Sequence, residues 1–363
     1  MSAAARATYR LANGATTLAC LALRSRSAQL KVFYGGARSG DGGGPLVKAR
    51  LLKEHFPENR LGFSLLYLLS NALYLPDAVI AAVRARGVPI VLNQNGVFYS
   101  AWYPVGWERE NARMAGAYQQ ASHVFWQSEF CRRCADRFMG SRSGPGEILF
   151  NATDTDWFAP AGQRPDGRPF VLLTTGKIGR STAYRLHSSI TGISAARRGG
   201  LDVVLHIAGA IDADVEAEAR ARVAALGAES AVRFTGSYSR AEAPAIYRAA
   251  DAYLMMKHND PCPNVVIEAM ASGLPVLYSA SGGVPELVGS DAGIGLVVEE
   301  SFERVVVPDS DAIANGIEKI IAGHAAMAAA ARARAVEKFG LAAWIARHGA
   351  VFEKLVRNRL VIA

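Results

Sequence analysis

The sequence predicts an α/β protein built from two doubly wound halves, each around a parallel sheet. Three observations carry that expectation. Short apolar runs alternate with longer amphipathic stretches along the chain, the pattern of strands joined by crossover helices. The series starts twice with strand, glycine turn and helix, at residues 30–47 and again at 170–182. The length of 363 residues suits two domains, and a half-hydrophobic composition is enough for sizeable cores.

Taken in order, residues 30–34 read as the first strand and residues 35–44 as a glycine loop, with Pro45 setting a helix start. Residues 61–83 are the most apolar region, but Ser70-Asn71 and Pro76-Asp77 interrupt them. They are too broken to cross a membrane and read as a core helix. The strand at 88–92 feeds Asn93, Asn95, Tyr99 and Trp102, after the strand end where open α/β sheets bind ligands. Amides hydrogen-bond hydroxyls and aromatic rings cover apolar sugar faces, so this loop suits a sugar. Residues 123–130 read as a strand ending in Ser128-Glu129, and residues 162–169 read as a linker. The second half opens with a strand at 170–175, then Lys177 and Arg180, then a helix from Thr182. Strands at 201–209, 232–238 and 251–256 follow, and residues 311–359 read as helical. His206, among apolar neighbours, reads as a satisfied core histidine.

Net charge is +8, and no Asp or Glu precedes Asp41, whereas Arg6, Arg10, Arg24, Arg26, Lys31 and Arg38 do. Such a basic end, residues 1–29, is either a solvated arm or a partner for an anionic membrane surface. No basic-aromatic array of a nucleic-acid module occurs, so nucleic acid is not an expected partner. Four cysteines in a chain this long make no disulfide framework. Cys131 and Cys134, at i and i+3 of one helix, lack the second pair or the histidines that zinc needs. A reducing cytoplasm fits.

Residues 258–286 carry the most chemistry. Pro261 and Pro263 stop any helix before Asn264, which then caps a helix through Val265, Ile267, Glu268 and Met270. Gly273 ends it, residues 275–278 read as a buried strand, and Gly282-Gly283 form a backbone-only loop. Asp260 therefore sits before a helix N-terminus, with Glu268 about one turn inside. Free helical amides attract phosphate, and carboxylates suit sugar hydroxyls.

This segment resembles the donor site of family 4 glycosyltransferases, retaining enzymes of the GT-B fold. Glu268, Gly273, Pro275, Gly282, Gly283, Pro285 and Glu286 match that family's motif. Asp260 stands where the family has Glu, roughly 1.5 Å shorter in reach. The resemblance covers about residues 30–352. It implies two Rossmann-like domains facing a cleft, with a C-terminal helix packing back on the first. The expected boundaries are 1–29 for the arm, 30–165 for an acceptor-side domain, 166–343 for a nucleotide-sugar domain and 344–363 for the returning helix.

The resemblance implies transfer of a sugar from a nucleotide-sugar, UDP or GDP type, to a glycan or lipid-linked acceptor with retention. The expected setting is bacterial surface polysaccharide or glycolipid synthesis, in the cytoplasm or peripheral to the inner face of the membrane. Lys177, Arg180 and Arg185 are its candidates for the donor pyrophosphate, and Asp260 and Glu268 for the reaction centre. Asn264, Ser281, Gly282 and Gly283 would bind donor. Gly35, Gly36, Gly43, Asn93, Asn95, Tyr99 and Trp102 would lie on the acceptor side. No cofactor and no metal is expected, since basic side chains can offset the pyrophosphate.

The alternatives are a non-catalytic sugar-binding GT-B protein, a nicotinamide-dependent oxidoreductase and a sugar-nucleotide epimerase. The first glycine loop is not a G-x-G-x-x-G and no acid follows about 20 residues on, which weakens the nicotinamide reading. The epimerase lacks an evident inverting acid/base set.

Overall fold

The computed structural model describes residues 3–22, 29–40, 43–162 and 167–362. Arg24, Arg26, Asp41 and residues 163–166 of the expected linker lie outside the described residues. The chain forms two compact units, Met1–Leu149 with Ala342–Ala363, and Phe150–Leu341.

In the first unit five parallel strands, β1 (Val32–Phe33), β2 (Leu65–Leu69), β3 (Ile90–Gln94), β4 (His123–Trp126) and β5 (Gly146–Ile148), pair in chain order. Helices α1 (Ala3–Ala22), α2 (Gly44–His55), α3 (Asp77–Ala85), α4 (Trp107–Gln120) and α5 (Glu129–Met139) precede or connect them. The expected core helix in 61–83 is instead β2 followed by α3. Every residue of β2 is buried, and a strand covered on both faces shows a continuous apolar run that periodicity cannot tell from a buried helix. Pro76 then sets the start of α3.

Residues 3–22 are not a plain arm but a helix tied to the unit. Buried Asn13 donates from Nδ2 to the carbonyls of Gly35 and Tyr74, at 2.8 and 2.9 Å, and the Tyr9 hydroxyl donates to the Gly36 carbonyl at 2.9 Å. The chain's last helix (Leu341–Ile362) also belongs here, as the returning helix requires. Its Phe352 ring lies 5.2 Å from Phe56 and 5.7 Å from Tyr67, and its fully buried His348 meets the Tyr67 hydroxyl at 3.2 Å.

The second unit contains β6 (Phe170–Thr175), α6 (Tyr184–Arg198), β7 (Val203–Ala208), α7 (Ala213–Ala225), β8 (Val232–Gly236), α8 (Ala243–Arg248) and β9 (Ala252–Met255). It continues with α9 (Asn264–Ala271), β10 (Val276–Ser279), α10 (Val284–Val288), β11 (Gly293–Leu296), α11 (Ser310–Ala322) and α12 (His324–Lys338), before the last helix, α13. The helical tail is thus three helices rather than one, broken at Gly323 and at Phe339-Gly340. The six strands are parallel in the order β11-β10-β9-β6-β7-β8.

Connections therefore reverse direction between β6 and β9, so the loops leaving these two strands diverge and open a crevice at their carboxyl ends. Residues 150–162, expected to close the first half, fold with this second unit. Asn151 bonds to the Cys262 carbonyl, Thr153 N to the Phe339 carbonyl at 2.9 Å, and Arg332 to the Thr155 and Phe158 carbonyls.

Candidate functional site

The segments that follow β6 and β9 carry Lys177 and Arg185, and Asp260 and Glu268, respectively. After β6 the chain turns through Gly176 so tightly against the loop after β7 that a Cβ on Gly209 would lie 2.1 Å from the Gly176 carbonyl oxygen. The chain then enters α6, whose second residue is Arg185. This guanidinium is only 5% exposed; one arm donates to the Thr175 carbonyl at 3.1 Å, and its Nε is buried without a partner. A buried cation with an unused donor at a helix start is arranged to receive an anion. Lys177 is exposed and makes no hydrogen bond or ion pair among the described residues. Arg180, the rival candidate, is drawn away: it ion-pairs with Asp214 and Glu218 of α7 on the surface.

Glu268 stands on α9 at the end of a buried hydroxyl chain that sequence reasoning missed. The Tyr247 hydroxyl donates to Glu268 Oε2 at 2.8 Å. Thr175 Oγ1 lies 3.3 Å from the Tyr247 hydroxyl and 3.0 Å from that of Tyr253. Each hydroxyl has one proton, so the chain runs Tyr253 to Thr175 to Tyr247 to Glu268, with every proton pointing at the carboxylate. Surrounding protein raises the Glu268 pKa by desolvation, opposed by the Tyr247 bond and the charge of Arg240. Burial holds Tyr247 and Tyr253 protonated as donors by raising theirs. Thr175 joins both ends: its carbonyl takes Arg185 and its hydroxyl serves Glu268.

Asp260 lies in the loop after β9. One carboxylate oxygen takes Lys257 Nζ at 2.7 Å and the other accepts from Cys262 N at 3.1 Å. Its carbonyl accepts from Gly283 N at 2.9 Å, and a Cβ on Gly282 (φ +70°) would sit 2.5 Å from that oxygen, so only glycine seats this loop. Ser281, also buried, accepts from Asn259 N at 3.1 Å. Asn259 itself holds φ +50°, strain that the closure of the loop maintains. Asn264 differs from expectation: Pro263 occupies the capping position and Asn264 is the first helical residue. Its Oδ1 accepts instead from Asn151 Nδ2 at 2.7 Å, which also holds the Cys262 carbonyl at 2.8 Å. A helix-start pattern cannot reveal a partner 113 residues away.

In the first unit, the end of β3 forms a separate polar cluster. Asn93 and Asn95 turn their oxygens to Lys48 Nζ, at 2.9 and 2.6 Å, and Gln127 donates to both. Lys48 is 3% exposed and carries no sequence signal beyond its place on the amphipathic α2. Asn95 Nδ2 reaches Asn71 Oδ1 at 2.9 Å. Tyr99 is buried, while Trp102 is 41% exposed and stacks on Phe98 at 5.0 Å rather than standing free. Gly35 and Gly36, both at positive φ, form the turn held by α1, and Gly43 at φ +90° sits just before α2. His206 is only half-buried and meets Thr235 Oγ1.

Residues 164–337 match the family model of glycosyl transferases group 1. The chain is similar to mannosylfructose-phosphate synthase of Agrobacterium fabrum, 32% identical over 120 residues, 31% of this chain and 26% of that protein. It is also similar to putative glycosyltransferase EpsF of Bacillus subtilis, 29% identical over 197 residues, 51% of this chain and 49% of that protein. The chain thus spans between about a quarter and about half of these curated relatives. Among solved structures it is similar to sucrose-phosphate synthase from Thermosynechococcus elongatus, with a TM-score of 0.66 and 21% identity, covering 82% of this chain and 75% of that one. It is similar as well to HepE of Anabaena, solved in complex with UDP-glucose, with a TM-score of 0.60 and 18% identity, covering 88% and 83%. The two parallel-sheet units have the GT-B fold.

Proposed function

We propose that the protein transfers a sugar from a nucleotide-sugar to a glycan or lipid-linked acceptor. The observation that carries this reading is the relay from Arg185 through Thr175 and Tyr247 to Glu268. A nucleoside diphosphate offers an anion and a vicinal diol a few bonds apart. The relay offers a cation with an unused donor at one end and a carboxylate at the other. On this reading Arg185 and Lys177 take the pyrophosphate, and the Glu268 oxygen not used by Tyr247 accepts from ribose. The GT-B fold, the group 1 match and the family 4 motif support it.

Retention at the anomeric carbon and independence of metal belong to the same proposal. The transition state develops charge on the leaving phosphate, and Arg185 and Lys177 can stabilise it without a cation. That phosphate can take the acceptor proton, so no histidine base is required. Surface polysaccharide or glycolipid synthesis is the setting that the family 4 resemblance suggests for it. Incubating the protein with radiolabelled UDP- and GDP-sugars and a panel of glycan and polyprenyl-phosphate acceptors tests the activity; no transfer from any donor would sink it.

For Glu268, the expected result is specific. Charge-assisted hydrogen bonds contribute about 1.5–3 kcal/mol, so Glu268→Ala should weaken nucleotide affinity at least about tenfold. Because the folded pKa is raised, affinity should fall on acidification earlier than an ordinary carboxylate would dictate. Calorimetric titration with the free nucleotide checks both; an unchanged affinity removes Glu268 from the ribose.

One observation favours the non-catalytic sugar-binding reading. Asp260 already holds Lys257, so a donor sugar must displace that half-exposed ammonium. The pair is part-buried, with the Asp260 side chain 12% exposed, so opening it is a cost that donor binding has to meet. Asp260→Asn is expected to lower turnover at least about tenfold while the free nucleotide binds as before. Undiminished turnover by Asp260→Ala, in an active preparation, would take Asp260 out of the reaction.

A further inference from the structure

Tyr184, the first residue of α6, reaches from the helix that carries Arg185 to the loop that carries Asp260. Its hydroxyl accepts from the amide of His258, two residues before Asp260, at 3.1 Å. A phenol that accepts one hydrogen bond still has its own proton to donate, and among the described residues no acceptor meets that proton. Both carboxylate oxygens of Asp260 are engaged elsewhere, one by Lys257 and the other by the Cys262 amide. Desolvation raises the Tyr184 pKa, outweighing the His258 bond, so the hydroxyl keeps its proton at neutral pH. The charges of Arg185 and Asp260 both reach the same oxygen, the first lowering and the second raising that pKa, which places the hydroxyl between them. Two unused donors thus lie on consecutive residues of α6: this hydroxyl and the buried Nε of Arg185.

We propose that the Tyr184 hydroxyl donates a hydrogen bond to the second phosphate of the nucleotide-sugar, the one that carries the sugar. This rests on the proposed transfer reaction and deepens it. On that reading Arg185 holds the pyrophosphate and Asp260 the sugar hydroxyls, and the group that joins pyrophosphate to sugar is the second phosphate. The His258 amide fixes the hydroxyl rotor, so its proton is aimed before the ligand arrives. No proton is transferred from Tyr184. As the bond between sugar and phosphate breaks, its electron pair stays on the phosphate oxygen, and a preset donor there favours the transition state over the ground state. The same hydroxyl ties the loop around Asp260 to the start of α6, so the groups addressing sugar and phosphate are held in one register.

Tyr184→Phe is the test, since it keeps the ring and removes only the hydroxyl. Calorimetric titration compares the full-length parent and variant with UDP and GDP, with UMP and GMP, and with uridine and guanosine. Diphosphate affinity is expected to fall about tenfold in the variant, while monophosphate and nucleoside affinities stay as in the parent. The variant leaves the His258 amide without its acceptor, so thermal midpoints are measured alongside. A Tyr184 that only supports the loop would lower the midpoint and weaken all three ligand classes alike, which overturns the proposal. An unchanged diphosphate affinity overturns it too, and an equal loss for monophosphate and diphosphate overturns the assignment to the second phosphate. A parent that binds neither UDP nor GDP sinks the transfer reading and this proposal together, an outcome distinct from a parent and variant that bind the diphosphate equally well.

Discussion

Acidification to about pH 4.5 is expected to remove about 3 kcal/mol of stability from the first unit through His348 alone. This imidazole is fully buried, with Nδ1 at the Trp344 carbonyl at 2.9 Å, Nε2 at Tyr67 and the rings of Trp344 and Phe125 against it. Desolvation lowers its pKa from 6.5 to about 3, outweighing the bond to the Trp344 carbonyl. Below about pH 6.5 the unfolded chain takes up a proton that the folded chain refuses, so stability falls as pH falls. The loss is about 1.4 kcal/mol per pH unit until the folded pKa is reached, and no such term acts above pH 6.5. Burial lowers the pKa of His123 as well, against the pull of Glu147, and adds to the loss in the same direction. Denaturant titrations at pH 7 and about pH 4.5 should show His348→Phe losing about 3 kcal/mol less than the parent. Parallel losses in the two proteins would place the acid sensitivity elsewhere.

The second large effect is expected at Arg185. Its guanidinium is buried, positioned by Thr175, and has a donor to spare. Two charge-assisted bonds to a pyrophosphate would be worth about 3 kcal/mol or more together, so Arg185→Met should weaken nucleoside diphosphate binding on the order of 100-fold. Arg185→Lys should restore only part, since an ammonium cannot fork as a guanidinium does. The control is the nucleoside lacking phosphates, whose affinity should not change. If diphosphate and nucleoside weaken equally, Arg185 is a packing residue and the phosphate lies elsewhere.

Local chemistry was legible in the sequence, and distant pairing was not. Proline and glycine punctuation around 261–283 located the loop, α9 and β10, because those residues act through their own backbones. The run in β2 was misread because burial on both faces erases the alternation that marks a strand. Asn264 reads as a cap by type, yet its partner Asn151 arrives from another part of the chain and takes the side chain over. Tyr247 and Thr175 look like ordinary helix and strand residues; only the pairing of β6 with β9, and the packing of α8, bring their hydroxyls into one line with Glu268. Lys48 is likewise one of several lysines until folding buries it against Asn93 and Asn95. The basic N-terminus was visible as charge, but the burial of Asn13 and Thr17 beside Cys20 and Leu21 on α1 needed the direction of each side chain.

The discontinuity of the first unit governs the order of assembly during synthesis. Tyr67 and His348 are 281 residues apart, and the helix bearing His348 and Phe352 leaves the ribosome only after the whole second unit. The five-stranded sheet thus emerges first but lacks its cover over Tyr67 and Phe56, while the second unit, Phe150–Leu341, is contiguous and can close as soon as it is made. The half of the chain translated first is therefore the half completed last, and its aromatic surface stays open to other chains or chaperones throughout translation of the second.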